Sequence, residues 1–424
     1  MIPFSLDELA ALGPGRLDAA PWADEVTGVQ IDSRLIDEGD LFFAVGEGAD
    51  YTRHAFARGA AATLVPVDAF AELAALGSAV RARSSARVVG ITGSTGKTST
   101  KDILAAFCRP HASTVAAEGG HNNEIGLPLT LTRIEPETEV VICEMGMRGL
   151  GQIAALCAVA RPDIGLITSI GPVHLELLGT VERVAEAKAE VVASLPQGGV
   201  AVVPDEPLLE PYLRRDDIEI RRFGPENVER FERVEGGCRV AFALGERRLE
   251  LELPFKARHQ AQNAAAALLA LEALGLPFPE GRVEIQLSRW RGEESSLPGG
   301  GLLINDSYNA NPASMRAALE HLAEHEGRRV AVLGEMAELG PTAPEFHREV
   351  GALARSLGIE LVLPVGELAR EYVEDGTVFA RSADEAAEKI GDLIGPGDIV
   401  LVKGSRAVGL EVVAEALSNA KAGV

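Results

Sequence analysis

Residues 87–107 read RVVGITGSTGKTSTKDILAAF. A run of strand character enters a Gly/Ser/Thr turn, and a helical stretch opens at the lysine. This order suits phosphate binding. Glycines let the backbone turn its N–H groups towards an anion, and a helix N-terminus adds partial positive charge. Gly93, Ser94, Thr95, Gly96, Lys97, Thr98 and Ser99 form the loop. Lys97 can neutralise β- and γ-phosphate charge, and the Thr98 hydroxyl can ligate Mg²⁺. The loop is shorter than a standard P-loop, because Ile91 stands where glycine would lie five positions before Gly96.

Further strand candidates follow at 139–146, 164–171 and 199–204, with helical patterns between them. That is the βαβ alternation of a parallel sheet. Residues 219–253 alternate charged and apolar side chains and are expected to form a small inserted antiparallel patch, before the Ala-rich helix at 259–275. Apolar runs at 301–306, 329–336, 361–366 and 398–404 predict a second open sheet. The segment before the loop mixes short strands and helices and ends in RARSSAR (81–87), read as a linker. The expectation is an α/β chain of three domains: a small α/β domain at 1–83, a central parallel-sheet P-loop domain at 84–286 and a Rossmann-like domain at 287–424.

The chain of 424 residues carries 40 basic and 63 acidic side chains, a net charge of −23. This argues against nucleic acid or anionic lipid as main partner, so phosphates must be handled at a small local site. Only seven lysines occur: Lys97, Lys101, Lys188, Lys256, Lys389, Lys403 and Lys421. Cys108, Cys143, Cys157 and Cys238 show neither CxxC pairing nor zinc-site clustering and read as reduced core thiols. The opening MIPFSLDELAALG reads as a short amphipathic helix without the basic and apolar regions of a signal peptide. No apolar run approaches the ~18 residues of a membrane span. A soluble, cytoplasmic protein is expected.

Glu144 ends an apolar strand and could be a second Mg²⁺ ligand or a solvated acid. His174 follows the 164–171 run, and a lone loop histidine is more often structural. Lys188 lies on the stripe Val181, Val184, Lys188, Val191, Leu195, with Glu182, Glu186 and Glu190 on the other face. Periodicity alone favours a snorkelling lysine; burial would instead lower its pKa and expose a modifiable amine. His259 and Asn263 are i, i+4 on one helix face, where Asn263 could pair with an adenine edge. DSYNANP (306–312) and Lys403-Gly404-Ser405-Arg406 sit at strand ends, where turn chemistry alone would also place such residues.

Jointly these motifs resemble the Mur ligases, the ATP-dependent amide-forming enzymes of bacterial cell-wall synthesis, over nearly the whole chain. The shared features are TGxxGKT at 92–98, Glu144, His174, Lys188 and H-x-x-x-N at 259–263. Four further runs point to the branch that adds D-alanyl-D-alanine: NNEIGLP (122–128), EMG (144–146), DSYNANP and GEMAELG (334–340). The Asp-Asn-Pro-Arg signature of the diamino-acid-adding branch is absent. Asp32-Ser33-Arg34 and the stretch at 40–56 are similar to the family's UDP-sugar-binding domain, although its Asp-Gly-His is interrupted here as Asp50-Tyr51-Thr52-Arg53-His54. Arg258-His259-Gln260 stands where the family has Gly-His-Asn.

The resemblance implies ligation of D-Ala-D-Ala to UDP-N-acetylmuramoyl-tripeptide by a monomer, through an acyl phosphate, with ATP and two Mg²⁺ ions. Thr98 and Glu144 would hold one ion, and His174 with a carbamylated Lys188 the other. His259, Asn263, Arg291 and Asp306 would join the loop in binding nucleotide. Ser33, Arg34, Asn122, Asn123, Asn309 and Asn311 would meet substrate. Lys403 and Arg406 would face the acyl phosphate or dipeptide. Another Mur-type amino-acid ligase, or a P-loop NTPase switch or scaffold, are the competing readings.

Overall fold

In the computed structural model, which describes residues 1–373 and 378–419, the opening run becomes the strand Arg87–Thr92 and the helix Lys97–Cys108. The strand lies inside a six-stranded sheet. Its order is Glu219–Phe223, Val200–Pro204, Ile164–Ile167, Arg87–Thr92, Val140–Glu144 and Thr114–Ala116. All neighbours are parallel. From Arg87–Thr92 the chain goes first to the Thr114–Ala116 edge, then returns and continues on the other side. The strand order therefore reverses at Arg87–Thr92, and a crevice opens at its carboxyl end.

The inner strands are buried on both faces, so they read as continuous apolar runs rather than alternations. Val89, Ile91, Ile142 and Leu166 face the helices Lys97–Cys108 and Arg258–Ala273. Val88, Val141, Cys143 and Ile167 face the helices Gln152–Ala160 and Val181–Ala193. The stretch from Ala264 to Leu271 is buried on every side, which explains its unbroken Ala/Leu composition.

Three local expectations need correction. The stretch at 219–223 is not antiparallel: Glu219–Phe223 extends the parallel sheet beside Val200–Pro204. As a half-exposed edge strand it carries the charge alternation of a surface hairpin. The antiparallel patch consists of Val228–Val234, Gly237–Leu244 and Arg247–Leu253. At the N-terminus, only Leu6–Ala10 is helical, because Phe4–Ser5 pairs with Glu25–Val26 and Ser5 caps the helix. The helix Ala69–Ala82 takes the start of the RARSSAR segment, leaving a connection of residues 83–86.

A four-stranded sheet in the first block has the order Arg16–Ala19, Ala62–Val65, Asp40–Phe43, Gly28–Gln30. The last block holds a mixed five-stranded sheet: Glu293–Ser296, Leu302–Asn305, Ile399–Lys403, Arg329–Gly334, Leu361–Val365. Only the first of these is antiparallel to its neighbour. The carboxyl ends of Leu302–Asn305, Ile399–Lys403 and Arg329–Gly334 lie together, and the first meets the phosphate loop, where Asn311 Nδ2 donates to the Ser94 carbonyl at 3.4 Å. All four cysteines are buried and unpaired, and burial pushes their thiols up to about 12. No helix among the described residues is long and apolar enough to cross a membrane.

Candidate active site

The loop is rigid for local reasons. Gly93 and Gly96 have φ of +150° and +81°. A Cβ on Gly93 would lie 1.8 Å from Thr168 Oγ1, and one on Gly96 2.5 Å from Asn263 Oδ1. Ser94 Oγ donates to the Gly171 carbonyl at 3.1 Å and accepts from Gly171 N at 3.0 Å. Thr95 N donates to Ser169 Oγ at 2.9 Å. The helix Lys97–Cys108 starts without a side-chain cap. Its first N–H groups therefore remain available to an anion. Lys97 Nζ folds back onto the Gly93 carbonyl at 2.8 Å. Burial lowers the Lys97 pKa; Glu144 opposes this and Arg291 adds to it.

Glu144 is 1% exposed. Its Oε1 accepts from Asn122 Nδ2 at 2.9 Å, while Oε2 is buried without a hydrogen-bond partner among the described residues. A carboxylate oxygen left unpaired in the interior is costly unless a cation meets it. Together with the Thr98 hydroxyl it forms an all-oxygen donor set that suits Mg²⁺. Arg291 Nη2 donates to Thr98 Oγ1 at 3.0 Å, and the guanidinium lies 3.9 Å over the Tyr308 ring. Arg291 thus reaches the phosphate end of the site.

Lys188 does not snorkel. It is 2% exposed and makes no hydrogen bond or ion pair among the described residues. Burial, then the charge of Lys97, drives its pKa well below the usual lysine value. The helix Val181–Ala193 turns this position inward along with Val184 and Val191. His174 sits before the short helix Leu175–Leu178 with φ +53°, its Nδ1 against a Glu338 carboxylate oxygen. Burial lowers the His174 pKa, Glu338 opposes, and Lys188 and Lys97 add to the depression.

The crevice is a cleft of about 420 Å³. Loop residues 94–99, Asn122 and Glu144 line one side, and Asp306, Asn309, Asn311 and Lys403 the other. His259, Asn263 and Arg291 line it as well. Burial holds the His259 pKa at about 4, with Asp306 opposing. Asn263 Nδ2 donates to Gln260 Oε1 at 2.9 Å. Lys403 is buried; its ammonium pairs with Asp306 Oδ2 at 2.6 Å and donates to the Asn309 carbonyl at 3.0 Å. It ties the 306–312 loop as much as it faces the cleft.

The remaining expected residues lie elsewhere. Arg406 does not line the cleft: it stacks over Trp290 at 4.7 Å and pairs with Glu411 at 2.9 Å. The exposed Asn123 braces the turn before the helix Gly126–Leu131, its Oδ1 accepting from Gly126 N at 2.9 Å. Ser33 and Arg34 belong to the first block. There Ser33 Oγ and His54 Nδ1 share a hydrogen bond of 2.9 Å, and Arg34 forks onto Asp32 at 2.6 Å. Sequence reasoning passed over Thr168 and Ser169, which brace the loop, and Glu338, which meets His174. The polar run after Ile167 and the GEMAELG string were the available signals.

Two family models match, the Mur ligase middle domain over residues 91–271 and the Mur ligase glutamate ligase domain over 290–406. The UDP-N-acetylmuramoyl-tripeptide–D-alanyl-D-alanine ligase of Escherichia coli (strain K12) is 33% identical, with 99% of each chain covered. The chain belongs to the Mur ligase family. Among solved structures, MurF from Acinetobacter baumannii matches with a TM-score of 0.86 at 27% identity, covering 99% of both chains. MurF ligase from Thermotoga maritima, solved in complex with ADP, matches with a TM-score of 0.80 at 28% identity, covering 93% of this chain and 97% of that one. As in those Mur ligase structures, the fold here is α/β with a central parallel sheet and a mixed C-terminal sheet.

Proposed function

We propose that this Mur ligase joins D-alanyl-D-alanine to UDP-N-acetylmuramoyl-tripeptide at the expense of ATP, through an acyl phosphate. The observation that carries the reading is the facing of two sheets across one cleft, phosphate loop and unpaired Glu144 oxygen on one side, Asp306 and Lys403 on the other. The terminal carboxylate of the tripeptide attacks the γ-phosphorus of ATP, the bond to the β-phosphate oxygen breaks, and ADP leaves. The dipeptide amine, having given up its ammonium proton, attacks the acyl carbon. The C–O bond to phosphate breaks, and inorganic phosphate leaves with the new amide formed. Several negative charges converge in the first step, so positioning and charge neutralisation dominate.

Lys97 and the loop N–H groups would receive the β- and γ-phosphates, with Gly93, Ser94, Thr95, Gly96 and Ser99 shaping the loop. His259 and Asn263 would meet adenine, with Asp306 and Arg291 at the rest of the nucleotide. Thr98 and Glu144 would hold one Mg²⁺; when bound, the ion supplies charge neutralisation at the transferring phosphate. A second ion would need an oxygen from Lys188 beside His174. An unmodified amine does not provide that oxygen, whereas its carbamate would, and a buried amine of lowered pKa is the form that reacts with CO₂. Asn122, Asn309 and Asn311 would meet the acceptor or dipeptide, and Ser33 and Arg34 the uridine diphosphate. We further propose a cytoplasmic monomer whose domains divide near residues 83 and 286.

The test is ADP release with and without each substrate. Release that requires both UDP-tripeptide and D-Ala-D-Ala supports the ligase; equal release with ATP alone identifies an NTPase switch.

A further inference from the structure

Glu338 and His174 face each other between the C-terminal and central blocks. Both hold left-handed backbone, with φ of +63° and +53°, and among the described residues only two other non-glycine positions, Arg161 and Trp290, share that region. Such a conformation persists only where the surroundings hold it. The surroundings of Glu338 do. Met336 N donates to Nε2 of the fully buried His347 at 3.0 Å, and His347 Nδ1 donates to the Ala343 carbonyl at 2.7 Å. Ala337 N donates to Ser405 Oγ at 2.9 Å, and Ser405 N to the Glu335 carbonyl at 3.0 Å. The loop after Arg329–Gly334 is thus fixed from inside its own block.

Everything Glu338 offers outward goes to the central block. Oε2 meets His174 Nδ1, Oε1 pairs with Arg148 at 3.2 Å, and its carbonyl accepts from Glu176 N at 3.2 Å. Two residues on, a Cβ at Gly340 would lie 3.1 Å from Glu176 Cα, so the two backbones approach closely here. We propose that Glu338 is a positioning residue: it seats the C-terminal block on the central one and fixes the His174 imidazole with Nδ1 as donor, leaving Nε2 free for the reacting groups. This rests on the ligase reading above. A carboxylate that orients a functional imidazole through its second nitrogen fixes both tautomer and ring angle. The same contact holds the two blocks together, and an acyl phosphate formed between them needs protection from water.

The experiment compares the full chain with Glu338→Gln, which keeps side-chain size, and Glu338→Gly, which deletes the carboxylate yet tolerates the left-handed backbone. Glu338→Gln should lower kcat on the order of tenfold, and Glu338→Gly further. KM for ATP should stay within about twofold, since Glu338 does not line the nucleotide cleft. Small-angle X-ray scattering should show a larger radius of gyration for Glu338→Gly. Wild-type kcat and wild-type radius in Glu338→Gly would overturn the proposal. So would loss of kcat, KM and melting temperature together, the pattern of a merely structural residue. If the wild-type chain makes no product, the ligase reading fails; the scattering comparison still decides whether Glu338 joins the blocks.

Discussion

Lys188 is the residue where sequence and structure part most instructively. Its place on an apolar stripe was legible at a 3.6-residue period, but the periodicity could not say how far water lay from the amine. The answer depends on the tertiary packing around the helix Val181–Ala193, which buries the position. Glu144 is similar: a strand-end acid became a buried carboxylate with one free oxygen. An unpartnered lysine in a core lowers stability, so Lys188→Met should abolish ligation while raising stability by on the order of 1 kcal/mol, read from denaturant melts. A melt showing large destabilisation would contradict the buried-amine description. His259 gives a pH prediction. Its pKa of about 4 in the folded chain lies below the ordinary 6.5. The unfolded chain therefore takes up a proton first as pH falls, so stability present above 6.5 is lost progressively towards 4. His259→Gln should flatten that part of the melting-temperature profile.

At the scale of elements, the inner strands and the helix after the phosphate loop were readable because continuous apolar runs and a glycine-rich turn are local signals. The edge strand Glu219–Phe223 was not, since its partner is chosen by topology and its charges resemble any exposed strand. The position of Arg406 was not readable for a similar reason: the Lys403-to-Arg406 string fixes a strand end, while the arginine lies against Trp290 and Glu411. The helix Pro312–Ala323 shows one residue doing two tasks. Asn311 caps it by accepting from Ser314 N at 3.0 Å, and also donates to the Ser94 carbonyl. Asn311→Ala should cost about 1 kcal/mol through the cap. It should also raise KM for ATP, because the loop loses a brace. Asn311→Asp, which restores the cap alone, should recover stability but not KM.

For the whole molecule, five sheets occur among the described residues, and the cleft is lined by acidic and basic side chains in nearly equal number. The cleft works with a few local charges: Lys97, Arg291 and Lys403 against Glu144, Asp205, Glu206 and Asp306. The four thiols, each raised to about 12 by burial, should resist alkylation at pH 8 in the native chain and all label after denaturation. Labelling of the native chain would mean that the blocks open far more than their packing indicates. The most direct measurement is mass spectrometry of the product formed from ATP, UDP-N-acetylmuramoyl-tripeptide and D-Ala-D-Ala. The account predicts a UDP-muramoyl-pentapeptide heavier by one dipeptide less water, formed one-for-one with ADP; ADP without that product would contradict it.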